Sequence, residues 1–194
     1  MIHATDVFKV FQQHRGDAIV LWVGSSGRKW QEFSTNEKRD LNIRGAMGHT
    51  SSAALGIALS LPNEKIVIFD AEGALLMNLG ILATIADKQP RNFYHFLLDN
   101  ECYATTGGQP VPNAKNINYA GMARAAGYAA AYQFDDLESL TRQMGEILSQ
   151  KGPVFVAIKV VPLIENEPMA RRKRPPTRSR AETIQALQEE LGLA

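Results

Sequence analysis

The sequence predicts a single α/β domain, a doubly wound parallel sheet with helices on both faces. Three observations lead there. Short apolar runs bounded by Gly or polar residues recur along the chain, as strands buried on both sides do. Segments with helical spacing alternate with them, the order that winds helices onto both faces of a parallel sheet. Polar residues gather just after several of the runs, where ligands bind in such sheets.

The elements follow in order. Asp6 to Gln13 has helical spacing, with Val7, Val10 and Phe11 on one face. Ala18-Ile19-Val20-Leu21-Trp22-Val23 is the first strand, and Gly24-Ser25-Ser26-Gly27 reads as a small-residue turn after it. A polar stretch from Arg28 to Arg39 leads to Gly45-Ala46-Met47-Gly48-His49, and Ser51 to Ser60 reads as a tightly packed helix. Lys65 to Asp70 is the second strand, followed by Ala71-Glu72-Gly73-Ala74 and a helical pattern from Leu75 to Ala86. Asn92 to Asp99 is the third strand. Tyr119 to Ala126 reads as a helix, and Gly127 to Phe134 returns to the sheet. Leu137 to Gln150 is amphipathic, and Pro153 to Val160 is the last strand. Residues 1–162 therefore read as the domain. Residues 163–194 read as a polar tail with a short helix near Ala181 to Leu191, either mobile or packed across a partner.

The bulk properties narrow the function. At 194 residues the chain holds one ordinary domain and no second one of normal size. A net charge of +1 supplies no general attraction for nucleic acid or an anionic membrane. The single cysteine, Cys102, rules out an intramolecular disulfide and suits a cytoplasmic protein. The N-terminus does not read as a signal peptide, and no apolar run is long enough to span a membrane. A dinucleotide fold would need G-x-G-x-x-G after the first strand, which Gly24-Ser25-Ser26-Gly27 is not. The basic run Arg171 to Arg174 reads as a solvated tail. His3, His14 and His95 show no ligand spacing.

Chemistry concentrates at the strand ends. Asp70-Ala71-Glu72-Gly73 offers carboxylates, hard oxygen ligands for Mg²⁺, beside a Gly that lets backbone approach an oxyanion. Asp99-Asn100 follows Glu72 after roughly 27 residues, the length of one strand–helix–strand unit. Thr105-Thr106-Gly107-Gly108 is a run of small donors suited to wrapping a phosphate. Ser25, Ser26 and the segment Gly45 to His49 add hydroxyl and amide donors.

This pair of elements resembles the thiamine diphosphate (ThDP) signature: Gly-Asp-Gly, roughly 25–30 residues, then Asn-Asn. Gly45-Ala46-Met47-Gly48-His49, Leu75-Leu76-Met77-Asn78-Leu79-Gly80 and Leu98 to Gln109 more closely resemble the phosphonopyruvate and sulfopyruvate decarboxylases. The similarity runs from about Ile19 to Ile158, inside that family's diphosphate-binding domain.

The resemblance implies ThDP and Mg²⁺ as cofactors. It places Glu72 where the metal-binding Asp stands, with Asn100 and the Cys102 carbonyl as further ligands. Gly73, Ala74, Ala104 and Thr105 would line the diphosphate. Ser25, Ser26, Gly45, Gly48 and His49 would contact phosphate or line its edge. Met47 would wedge beneath the cofactor and bend it, and His49 and Thr106 would serve the reacting side. Two departures stand out: Ala-Glu-Gly replaces Gly-Asp-Gly, and Asp99 replaces the first Asn. The resemblance also puts the Glu that activates the cofactor on a separate pyrimidine-binding domain, absent from this sequence. It thus implies an α-type partner subunit and a hetero-oligomer, with Gly45 to Leu59 suited to close packing against the partner.

The implied activity is decarboxylation of a small 2-oxo acid by a β-type subunit. A carboligase subunit and a catalytically impaired assembly or regulatory subunit are the alternatives, the latter because Glu72 replaces Asp. For a phosphonate or sulfonate substrate, Arg28, Lys29 and Arg44 are the candidate cationic partners.

Overall fold

The computed structural model describes residues 1–43, 47–168, 171–172 and 178–193. Gly45 and Arg44, singled out above, lie outside the described residues, as do Lys173 and Arg174 of the basic run.

Six strands form one parallel sheet. They are β1 (Ile19–Trp22), β2 (Asp40–Leu41), β3 (Ile66–Ala71), β4 (Phe93–Asp99), β7 (Ala130–Phe134) and β8 (Val154–Lys159), in the spatial order β2-β1-β3-β4-β8-β7. A two-stranded antiparallel ribbon, β5 (Cys102–Tyr103) and β6 (Gln109–Pro110), projects beyond the end of β4.

The strands are apolar on both faces because both faces are covered. In β3, Val67 and Phe69 belong to one core, and Ile66 and Ile68 to the other. The first core is closed by α1 (Ala4–His14) and α7 (Leu137–Ser149), through Phe8, Phe11, Leu140 and Met144. Phe69 lies at its centre, with ring centroids of Phe8, Phe11, Trp30 and Phe96 4.8–5.7 Å away. The second core is closed by α3 (Thr50–Ser60), α5 (Ile81–Lys88) and α6 (Tyr119–Ala126). Asn118 and Asp136 cap α6 and α7 by accepting from backbone N–H groups three residues on.

Three local expectations change. The turn at Gly24 to Gly27 is a short helix, α2 (Gly24–Arg28). The helical pattern from Leu75 to Ala86 splits into α4 (Glu72–Leu76) and α5. The break falls at Asn78, whose side-chain amide donates to the Gly48 carbonyl and to Ser52 Oγ, tying this turn to the start of α3. The C-terminal helix is α8 (Arg180–Glu190). It lies on its own chain, with Leu187 buried in the second core and Glu190 paired with Lys38 and Arg39. A Ser179–Glu182 capping box starts it, and Asn42 donates to the Arg178 carbonyl just before it.

Among the described residues no helix is long and apolar enough to cross a membrane.

Candidate active site: a buried carboxylate and a two-residue turn

β1, β3 and β4 end side by side, so the segments following them converge. Glu72 opens α4 directly after β3 and is 1 % exposed. Its Oε1 accepts from the Cys102 backbone N–H at 3.0 Å. The same N–H reaches Asn100 Oδ1 at 3.1 Å. Two side-chain oxygens from two strand ends therefore share one backbone donor. Glu72 Oε2 is buried and has no hydrogen-bond partner. Burial, with the nearby Asp99 charge as a smaller contribution, pushes the Glu72 carboxyl up to about 7.

A cleft of about 70 Å³ opens beside Asn100, with Glu72 itself off its lining. It is lined by Ser25 and Ser26 of α2, Met47, Gly73 of α4, and Asn100, Cys102, Ala104, Thr105 and Thr106 from the β4–β6 segment. Ser26 Oγ is a second buried oxygen without a partner. The Thr106 hydroxyl bonds within its own loop, to the Tyr103 carbonyl and Gln109 Oε1. Met47 is 41 % exposed at the mouth. The space a Cβ would take at Gly73 is filled by the Tyr103 ring, 2.7 Å away, so glycine is required there by close packing.

Other expected residues lie off the cleft wall. Ala74 and Gly48 are buried behind it, and Gly48 has φ +85°. His49 is exposed at the start of α3, its Nδ1 within 3.2 Å of the Met47 carbonyl. Asp70 turns into the sheet instead: Oδ2 meets His95 Nε2 at 3.0 Å, and His95 Nδ1 meets the Tyr128 hydroxyl at 3.2 Å. The His95 ring, set aside on sequence grounds, thus belongs to a buried polar chain beneath the site.

The two cationic candidates among the described residues are already paired. Arg28 meets Glu165 at 2.9 Å, and Lys29 meets Glu32 at 2.6 Å. Arg172 is not a solvated tail residue. Its side chain is 9 % exposed and bonds Glu165 Oε2 at 2.6 Å and the Thr105 carbonyl at 2.8 Å. The Glu165 N–H donates to the Ala104 carbonyl, and Ile164 packs on Gly108. Residues 162–168, together with Arg172, thus form a strap beside the loop that lines the cleft.

Sequence reasoning missed Arg172, Tyr103 and Lys159. Lys159 ends β8 opposite Asp99, and its ammonium lies 2.8 Å from both Asp99 Oδ2 and Glu101 Oε1. The available signal was a lysine and an aspartate each closing an apolar run.

The donor set suits a metal–diphosphate group. No cluster of three or more His, Cys, Asp or Glu side chains able to hold a metal occurs among the described residues. What converges is one carboxylate oxygen without a partner, one amide oxygen and a ring of small donors. That is too few protein ligands for Mg²⁺ by itself and the usual number when phosphate oxygens complete the shell.

Comparison with known proteins agrees with this. Residues 23–158 match the family model described as thiamine pyrophosphate enzyme, C-terminal TPP binding domain. The chain is 34 % identical over 142 residues to a phosphonopyruvate decarboxylase of Streptomyces hygroscopicus, covering 72 % of this chain and 35 % of that protein. It thus spans about a third of the length of that relative. It is 40 % identical over 124 residues to the sulfopyruvate decarboxylase subunit beta of Methanothermobacter thermautotrophicus, covering 64 % and 63 %. Against the same subunit of Methanococcus maripaludis it is 31 % identical over 164 residues, covering 84 % and 86 %. A thiamin diphosphate-dependent enzyme from Mycobacterium smegmatis shares the fold, with a TM-score of 0.71 at 19 % identity over 83 % of this chain and 32 % of that one. With the family model matching most of its length, the chain belongs to the thiamine pyrophosphate enzymes, as a C-terminal TPP binding domain.

Proposed function

We propose that this chain is the β-type, diphosphate-holding subunit of a two-subunit ThDP-dependent 2-oxo acid decarboxylase acting on a sulfopyruvate- or phosphonopyruvate-like substrate. The observation that carries the reading is the unpartnered Glu72 Oε2, buried on a carboxylate that shares the Cys102 N–H with Asn100, which lines a cleft rimmed by small donors. The relatives support it: the chain matches nearly the full length of one protein named subunit beta and about a third of one named phosphonopyruvate decarboxylase. Residues 1–162 are assigned to the domain and 163–194 to an extension of it.

Glu72, Asn100 and the Cys102 carbonyl would hold Mg²⁺, and Ser25, Ser26, Gly73, Ala104 and Thr105 would face the diphosphate. Met47 at the mouth would support the thiazolium side, and Thr106 would face the substrate. When bound, ThDP supplies the electron sink that lets a 2-oxo acid lose carbon dioxide. This chain's residues anchor, orient and shield. The pyrimidine-binding α-type subunit would supply the activating Glu and cover the open side of the cleft, making the enzyme a cytoplasmic hetero-oligomer. No membrane or nucleic acid enters this role.

Calorimetric titration of ThDP into the complex of both subunits, with and without Mg²⁺, tests the reading. It predicts saturable binding that requires the metal; binding that ignores Mg²⁺, or none, contradicts it. Glu72 in place of Asp favours a second reading, a subunit that assembles without supporting turnover. Enzyme-like decarboxylation by the unmodified complex would eliminate it.

A further inference from the structure

The turn that carries Asn100 and Cys102 is held from outside the site. Asp99 ends β4 and Lys159 ends β8, in direct register in adjacent parallel strands. The Lys159 ammonium lies 2.8 Å from Asp99 Oδ2 and 2.8 Å from Glu101 Oε1. These two carboxylates flank Asn100 on either side. The Val160 N–H donates to the Asp99 carbonyl at 2.9 Å, so backbone and side chain pin the same residue.

This fastening has a backbone to hold. Glu101 has φ +65°, a left-handed conformation that non-glycine residues rarely adopt unless their surroundings impose it. The kink turns the Cys102 N–H back toward Asn100 Oδ1 and Glu72 Oε1. The Asp99 side chain is only 3 % exposed and lies close enough to Glu72 for the two carboxylates to repel. A cation on Asp99 is therefore needed if a second cation, a metal ion, is to sit by Glu72 rather than be drawn to Asp99.

We propose that Lys159 is a positioning residue for the metal–diphosphate site: by bridging Asp99 and Glu101 it fixes the left-handed turn that aims the Asn100 oxygen and the Cys102 carbonyl. The proposal rests on the functional reading above for what the turn holds, and on this chain alone for how it is held. Partners of this kind, one step behind metal ligands, change metal affinity by about 10- to 100-fold.

The test uses the full chain in three forms: Lys159→Met, Lys159→Arg, and Lys159→Met combined with Asp99→Asn. Amide hydrogen exchange without any ligand is read at residues 100–103 and, as an internal control, at 93–97 within β4. Mn²⁺ binding in the presence of ThDP is read by electron paramagnetic resonance. Lys159→Met is expected to speed exchange in the turn at least about tenfold with β4 unchanged, and to weaken Mn²⁺ binding about 10- to 100-fold. Lys159→Arg, which keeps a cation able to bridge Asp99 and Glu101, is expected to recover most of both, whereas the double variant, which removes the unpaired buried charge but restores no bridge, is expected to keep β4 protected and the turn fast. Unchanged exchange and affinity in Lys159→Met overturn the proposal, as does a double variant whose turn exchange and affinity return to wild type, since neutralising Asp99 would then suffice without the bridge. If Lys159→Met does not fold, the double variant decides alone: turn exchange at least about tenfold faster with β4 unchanged supports the proposal, and turn exchange within about threefold of wild type, or acceleration in the turn and in β4 together, overturns it. A wild-type chain that fails to bind Mn²⁺ with ThDP refutes the functional reading, while the ligand-free exchange still decides whether Lys159 holds the turn.

Discussion

Glu72 is the residue on which site chemistry and stability meet. Burial pushes its carboxyl up to about 7 from its ordinary value of 4.5. Between those two values the metal-free folded chain binds a proton that the unfolded chain does not. Stability of the metal-free protein therefore falls as pH rises from about 4.5 through about 7, by roughly 3 kcal/mol if this group acts alone. Melting temperatures measured across that window should decline, and Glu72→Gln should flatten the decline; a wild-type profile that rises instead would contradict the assignment. A metal held by Glu72 would require the same carboxylate ionised, so Mg²⁺-dependent ThDP affinity should move the opposite way, increasing up to about pH 7 and then levelling. Glu72→Ala should reduce that affinity by about 100-fold or more, measured by calorimetry.

At the scale of elements, the strap and the β4–β6 segment work as a unit. Arg172 bonds the Thr105 carbonyl and Glu165, and the Glu165 N–H bonds the Ala104 carbonyl. Arg172→Ala should loosen residues 104–108, lower stability by about 2 kcal/mol and weaken ThDP binding; unchanged amide exchange in that loop would argue against a supporting role. At β2, Arg15, 2 % exposed, bonds Asp40 at 2.7 Å, Ser34 and the Asn36 carbonyl, and lies over the Trp30 ring. Asp40→Ala leaves this guanidinium buried without its carboxylate and should cost about 3–5 kcal/mol, read from chemical denaturation. These devices mark where the sequence stops being legible. β3 and β8 declare themselves as unbroken apolar runs, β4 as one interrupted at His95, and α1 and α7 by spacing. β2, only Asp40–Leu41, is too short to carry a pattern. The α4–α5 break depends on Asn78 reaching the Gly48 carbonyl, a contact across thirty residues. Lys159 and Arg172 act through partners 58 and 67 residues away, which no local pattern encodes.

The whole molecule is a sheet with two filled faces and one open end. Phe69 ties β3 to α1 through an aromatic cluster directly beneath the strand end that presents Glu72. Phe69→Ala should cost about 3–5 kcal/mol and lower the melting temperature with no change in which metal or cofactor binds. The positions of Glu72, Asn100 and Thr105 were legible because motif spacing and strand ends agree; the loss of Arg28 and Lys29 as free cations was not, because their partners Glu165 and Glu32 are set by tertiary packing and by one helical turn respectively. The central claim is that Glu72 and Asn100 hold a metal which in turn holds a diphosphate. Crystals of the two-subunit complex grown with ThDP and Mn²⁺, measured at the manganese absorption edge, test it most directly. The account predicts one anomalous peak within about 2.3 Å of Glu72, Asn100 and the Cys102 carbonyl, bridged to the diphosphate. A diphosphate bound with no peak at Glu72, or a peak ligated elsewhere, would contradict it.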